Sequence, residues 1–211
     1  GMGSAVPQRV PSGGVDGLVA VDFGDGLVAS QLAAGDCHTC ALVGAGEVKC
    51  WGCGARGQLG AGAAENIGDK AGQMGSALPA INTGMQAAVS VLCVADYSCY
   101  VSVEGGLFCW GTSSWFRGPM AQPRRVPLSF PVARISCGKD HCCALGVDGL
   151  VRCWGSGQRH QLGLGFVDRS PDLAVPVPAL KRRVVVDVVV GDGFSCVTGP
   201  AGLKCWGESP R

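Results

Sequence analysis

The residues of this 211-residue chain whose types and spacing could do chemistry are its cysteines and histidines. They concentrate in three stretches: "CHTC" (37–40), "CWGC" (50–53) and "CGKDHCC" (137–143). Two thiols three residues apart, as in Cys50 and Cys53, could form a dithiol switch or half of a zinc site. A complete tetrahedral site needs a second spaced ligand pair, and none stands at a matching distance, so no metal is expected. The chain also lacks a nucleophile elbow, a phosphate loop and a spaced carboxylate pair. It is therefore read as a non-enzyme without a cofactor.

The elements that hold these residues come from a repeat. Four segments share one pattern: "AAGDCHTCALVGAGEVKCWG" (33–52), "LCVADYSCYVSVEGGLFCWG" (92–111), "SCGKDHCCALGVDGLVRCWG" (136–155) and "VVGDGFSCVTGPAGLKCWG" (189–207). Their Cys-Trp-Gly triplets begin at Cys50, Cys109, Cys153 and Cys205, 59, 44 and 52 residues apart. Periods near fifty with several short strands per unit suit propeller blades.

Ten residues before each triplet stands another cysteine: Cys40, Cys99 and Cys143, with Cys196 nine residues ahead of Cys205. Strand residues, a glycine-bearing turn and more strand residues fill each gap, which predicts a β-hairpin. Folding the first about Ala45 sets Cys40 opposite Cys50, near the spacing a disulfide needs. Four hairpin disulfides are thus predicted: Cys40/Cys50, Cys99/Cys109, Cys143/Cys153 and Cys196/Cys205. Cys37, Cys53, Cys93, Cys137 and Cys142 are left without assigned mates. Cys93 and Cys137 share a column with Ala34 and Val190, so free buried thiols are expected there.

An inner strand precedes each hairpin, and a proline-flanked segment lies farther upstream: "PQRVP" (7–11), "PRRVP" (123–127), "AVPVP" (174–178). Such segments suit sheet edges. Each unit thus counts one proline-flanked strand, one inner strand and two hairpin strands, with units near 7–62, 63–121, 122–165 and 166–211. The fold class is an all-β propeller of about four units in one repeat domain, either a small closed ring or part of a larger one. In the closed ring "PQRVP" would complete the fourth blade, whereas an open arc would expose strand edges and self-associate. "VVVDVVV" (184–190) is read as a buried strand.

His38 and His141 occupy the same place in units one and three, where Tyr97 and Phe194 stand in the others. A position filled by His, Tyr or Phe points to ring packing rather than proton transfer. Trp51, Trp110, Trp154 and Trp206 recur after the hairpin cysteine and are assigned to packing on the disulfide and the neighbouring blade.

Composition agrees. The 35 glycines and 12 prolines leave little room for long helices, yet 47% hydrophobic residues exclude a disordered chain. With 17 Lys+Arg against 16 Asp+Glu there is no electrostatic footprint for nucleic acid or an anionic membrane. No apolar run is long enough to span a bilayer. Cross-linked hairpins imply an oxidising compartment, extracellular or secretory, with a cytoplasmic chain of free thiols as the alternative. The start of the sequence lacks a signal-peptide layout.

"AAGDCHTCALVGAGEVKCWGCGARGQLGAG" and "SCGKDHCCALGVDGLVRCWGSGQRHQLGLG" resemble the regulator of chromosome condensation repeat, in its cysteine-rich variety. The resemblance covers about residues 7–207 and is weakest in unit two, where "TSSWFRG" replaces the Gly-Gln-Leu-Gly turn. It implies a propeller, usually of seven blades, and guanine-nucleotide exchange on a small GTPase as a function. The Gly-Trp-Arg-His-Thr motif of the family's photoreceptor branch is absent.

Two loop sets could carry binding. One follows the inner strands: Asp36, Asp96, Lys139, Asp140 and Asp192. The other follows Cys-Trp-Gly: Arg56, Trp115, Phe116, Arg117, Arg159 and His160, a cationic and aromatic composition favoured at protein interfaces. The expected function is a protein-protein interaction scaffold with a protein partner, and nucleotide exchange is the alternative.

Overall fold

The computed structural model describes residues 20–84, 86–116, 119–165 and 169–208, without the side chains of 169–174. Four consecutive antiparallel sheets make up this all-β chain. The first holds β1 (Ala29–Ala34), β2 (His38–Val43) and β3 (Glu47–Gly52). The second holds β4 (Ala88–Val94), β5 (Tyr97–Ser102), β6 (Leu107–Gly111) and β7 (Met120–Arg125). The third holds β8 (Val132–Cys137), β9 (His141–Gly146), β10 (Val151–Ser156) and β11 (Arg169–Pro176), and the fourth β12 (Asp187–Val190), β13 (Phe194–Gly199) and β14 (Gly202–Gly207). Each sheet is one blade, and strands within it follow chain order. The inner strands β1, β4, β8 and β12 supply Gln31, Ser90, Arg134 and Asp187 to the lining of a shared cavity of about 550 Å³.

The hairpin registers come out as the cysteine spacing predicts. Cys40 lies opposite Cys50, Cys99 opposite Cys109, Cys143 opposite Cys153 and Cys196 opposite Cys205. Each pair is disulfide-bonded, with Cα atoms 4.0 to 4.1 Å apart. A fifth bond joins Cys137 to Cys142 across β8 and β9, which corrects the expectation of a free thiol at Cys137. Column neighbours misled there. The equivalent cross-strand pair is Ala34 and Thr39 in blade 1, and Cys93 and Ser98 in blade 2, so only blade 3 has two sulfurs facing each other.

The proline strands are placed differently from the predicted units. β7 and β11 pair with β6 and β10, as outer edges of the blade before them, so boundaries near 121 and 165 cut off the last strand of blades 2 and 3. Proline lacks an N–H, and the outer edge is the place where that donor is not needed. In blade 1 the edge of β3 is met by isolated bridges, Lys49 with Ala80 and Gly52 with Ile67. The edge of β14 has no partner among the described residues, and "PQRVP", predicted to fill it, lies outside them. "VVVDVVV" is corrected too: only its last four residues form a strand, and Val184, Val186 and Val189 are more than half exposed.

The core is a stack of apolar layers between blades. Cys40, Leu42, Val48 and Cys50 of blade 1 meet Val91, Tyr100 and Trp110 of blade 2. Blade 2 presents Cys99, Val101, Leu107 and Cys109 to Cys142, Ala144 and Trp154 of blade 3. Blade 3 in turn presents Cys143, Leu145, Val151 and Cys153 to Val188, Val197 and Trp206. So the first three hairpin disulfides face the following blade, and the last three of the repeated tryptophans face the preceding one. Phe23 and Leu78 cover Trp51 in place of a preceding blade, with Phe23 edge-on at 5.6 Å. At the other end Cys205 and Leu203 are exposed. A short-loop disulfide contributes about 3 kcal/mol and stays within its own blade. Burying a tryptophan removes ~150–250 Å² from water, about 4–6 kcal/mol, and joins two blades, so packing sets the stack.

The glycine of Cys-Trp-Gly has a steric reason. Gly52, Gly111, Gly155 and Gly207 have φ of 108°, 98°, 104° and 98°. A β-carbon there would collide with the carbonyl oxygens of Cys37, Asp96, Asp140 and Gly193.

Candidate functional site

The blade junctions and the rim beside them gather nearly all the residues singled out in the sequence. After β3 the chain crosses toward blade 2 through "GARGQLG" (54–60). There Gln58 folds its side chain back, and its Oε1 accepts the Arg56 N–H at 2.8 Å. Its carbonyl oxygen is left pointing at blade 2, where it accepts Ser98 Oγ at 3.0 Å and Trp110 Nε1 at 2.8 Å. Gln161 repeats this arrangement. Arg159 N–H donates to its Oε1 at 2.7 Å, and Ser195 Oγ and Trp206 Nε1 donate to its carbonyl at 2.9 and 2.8 Å. A β-carbon on Gly60 or Gly163 would strike the respective indole Nε1, so the turn's last glycine admits the tryptophan.

Each serine also meets a histidine of the preceding blade. His38 Nε2 lies 2.7 Å from Ser98 Oγ, and His141 Nε2 lies 2.9 Å from Ser195 Oγ. The serine proton is committed to the glutamine carbonyl, so the imidazole must supply the hydrogen from Nε2. His38 Nδ1 then has no partner, as found. Burial pushes His38 below its ordinary pKa and His141 down to about 4, and nearby aspartates only partly oppose this. Both rings are neutral donors at neutral pH, so their role goes beyond the expected packing. His38, Cys40 and Cys93 cluster closely enough for a metal, but Cys40 Sγ is bonded to Cys50. Burial raises Cys93 to about 11, leaving one imidazole and one protonated thiol.

At the junction of blades 2 and 3 the described residues of the crossing loop pack aromatic rings. Trp115 is 7% exposed and meets Trp154 edge-on at 6.0 Å and Tyr97 at 5.7 Å. Trp115, one of the loop residues that could carry binding, is thus buried in a blade junction. Phe116 is half-buried against the same Tyr97, and Tyr97 OH donates to the Gly138 carbonyl at 2.8 Å. Among the described residues Trp154 Nε1 has no hydrogen-bond partner. Arg117 lies outside the described residues.

The two loop sets do not form separate surfaces. They meet on one rim, where Arg56 Nε pairs with Asp96 at 3.3 Å, and Arg159 with Asp192 at 3.7 Å and Glu208 at 3.8 Å. Ser114 Oγ donates to Asp140 at 3.0 Å. Lys139, His160 and Asp36 are exposed, and His160 adopts a left-handed φ of 58°. Between blades 3 and 4 a cleft of about 80 Å³ is lined by Lys139, Asp140, Arg159 and Asp192. Gln58 and Gln161 were not singled out from the sequence, although their turn was. Their acting group is a carbonyl oxygen, which any residue carries.

Four stacked antiparallel sheets with a recurring clasp define a repeat protein of the β-propeller class. The "Regulator of chromosome condensation (RCC1) repeat" description matches residues 29–58 and 132–161, and a second profile of the same description matches 148–198. The chain therefore carries repeats of that family in these stretches. Among solved structures, human WBSCR16 is similar at 18% identity and a TM-score of 0.74, over 86% of this chain and 47% of that one. Prp20p from Saccharomyces cerevisiae, described with its binding properties to Gsp1p and histones, follows at 23% and 0.66, over 84% and 44%. The ectodomain of the Physcomitrella patens receptor kinase CR4 is similar at 19% and 0.52, over 86% and 41%. At these identities the likeness is one of fold, and the chain spans less than half the length of each. No curated protein matches it.

Proposed function

We propose that the chain is a non-enzymatic scaffold that binds a protein partner through the rim carrying Arg56, Asp96, Lys139, Asp140, Arg159, His160 and Asp192. One observation carries this reading: the arginine–aspartate pair recurs at two junctions with its arginines 60% and 52% exposed. Exposed pairs of this kind contribute under about 1 kcal/mol to stability, so they do little for the fold. What they supply is a row of charges on a rigid stack, a surface that selects partners by charge complementarity. Five disulfides favour an oxidising compartment, and we place the chain in the extracellular or secretory pathway. Among the described residues no helix is long and apolar enough to cross a membrane.

The test is cross-linking of partners to the folded protein and to Arg56→Glu and Arg159→Glu. The reading requires that the double variant keep its melting temperature and lose the cross-links. Retention of every cross-link would remove the rim from consideration. Nucleotide exchange, the second reading, rests on the resemblance to that repeat family. It calls for accelerated nucleotide release from a member of a small-GTPase panel, and no acceleration across the panel would end it.

A further inference from the structure

The register of the blade 1 hairpin ends with His38 opposite Gly52, and Cys37 and Cys53 are the residues just beyond it. Their backbones are joined, Cys53 N–H donating to the Cys37 carbonyl at 2.9 Å. The same bond recurs in every blade: Thr112 to Asp96 at 2.9 Å, Ser156 to Asp140 at 2.8 Å and Glu208 to Gly193 at 3.0 Å. The repeat therefore brings these two backbone positions together, and blade 1 alone fills both with cysteines. Neither is disulfide-bonded. Cys37 is exposed and Cys53 half-exposed, on backbones joined by that hydrogen bond. The third free cysteine, Cys93, is buried.

We propose that Cys37 and Cys53 form a redox modification site, a rim dithiol that closes to a sixth disulfide by exchange with a small disulfide such as oxidised glutathione. One cysteine thiolate attacks a glutathione sulfur, the glutathione S–S bond breaks, and one glutathione thiolate leaves. The other cysteine thiolate then attacks the protein sulfur of the mixed disulfide and expels the second glutathione. Two protein thiols are oxidised, one glutathione disulfide is reduced to two thiols, and the protein's protons pass to the departing thiolates. The contact with Cys53, then burial, pushes the Cys37 thiol up to about 11, so exchange quickens as pH rises.

The site differs from the first three hairpin disulfides, whose sulfurs are sealed between blades. It is also tied to the clasp: Gln58 Nε2 approaches Cys37 Sγ at 4.0 Å, and the same residue's carbonyl holds Ser98 and Trp110. Closure fastens the 53–58 turn to the turn between β1 and β2.

The experiment incubates the folded protein at pH 8.5 over a range of reduced-to-oxidised glutathione ratios, then traps thiols by alkylation and maps peptides by mass spectrometry. Cys37 and Cys53 are expected to leave the alkylated pool together and appear as one linked peptide, with Cys40–Cys50 and Cys99–Cys109 closed throughout. Cys53→Ser should leave Cys37 as a glutathione adduct with the other five disulfides intact, which shows that the variant folds. The proposal is overturned if both thiols stay alkylatable in oxidised glutathione, if both carry glutathione without linking, or if either links to another cysteine.

Discussion

Acid should loosen the junction between blades 3 and 4 through a single ring. His141 donates from Nε2 to Ser195, which donates to the Gln161 carbonyl, and the imidazole is 1% exposed. Burial takes its pKa from 6.5 to about 4. A folded-state pKa below the unfolded one means that the unfolded chain binds the extra proton between those values. Stability is therefore whole above pH 6.5 and falls as pH drops toward 4. Between pH 7 and pH 5 the loss is roughly 2 kcal/mol, rising to about 3 kcal/mol below pH 4. Urea unfolding followed by tryptophan fluorescence measures this as a falling midpoint. His141→Gln is the control, because its amide N–H replaces the Nε2 donor and does not titrate. Carboxylates titrate equally in both proteins, so the difference isolates the ring. Equal pH slopes for the two proteins from 7 to 5 would refute the relay and its neutral tautomer.

Two other outcomes follow from packing. Trp115→Ala should cost about 3–5 kcal/mol in chemical denaturation, as a buried aromatic does, rather than only reducing binding. Gly155→Ala, at φ 104° with its β-carbon driven against the Asp140 carbonyl, should lower stability by about 1–3 kcal/mol in the same assay, whereas Gly149→Ala, at φ 77° in open space, should show conformational strain alone.

The hairpins, their registers and four of the five disulfides were legible because nine- or ten-residue spacing about a glycine turn sets the two cysteines across one antiparallel pairing. Cys137–Cys142 was missed because comparison down a column reports what a position tolerates, not what it faces. The burial of Trp115 was not legible for a related reason. A loop that breaks the Gly-Gln-Leu-Gly pattern looked free, yet its rings pack on Tyr97 and Trp154 at the junction of blades 2 and 3. The rim charges were recognised singly. Their pairing across blades depends on how sheets stack, and no local period encodes that.

Beside their apolar layers the three junctions differ: a histidine–serine–glutamine relay joins blades 1 and 2 and blades 3 and 4, whereas aromatic rings pack between 2 and 3. Hydrogen-bonded relays that need a neutral ring fail in acid, and stacked aromatics do not. In acid, blades 2 and 3 should therefore act as a two-blade nucleus, with blades 1 and 4 opening separately. In mild acid, amide exchange in β12–β14 and β1–β3 should run ahead of that in β4–β10, so that the stack comes apart as a hierarchy of local openings around a protected centre.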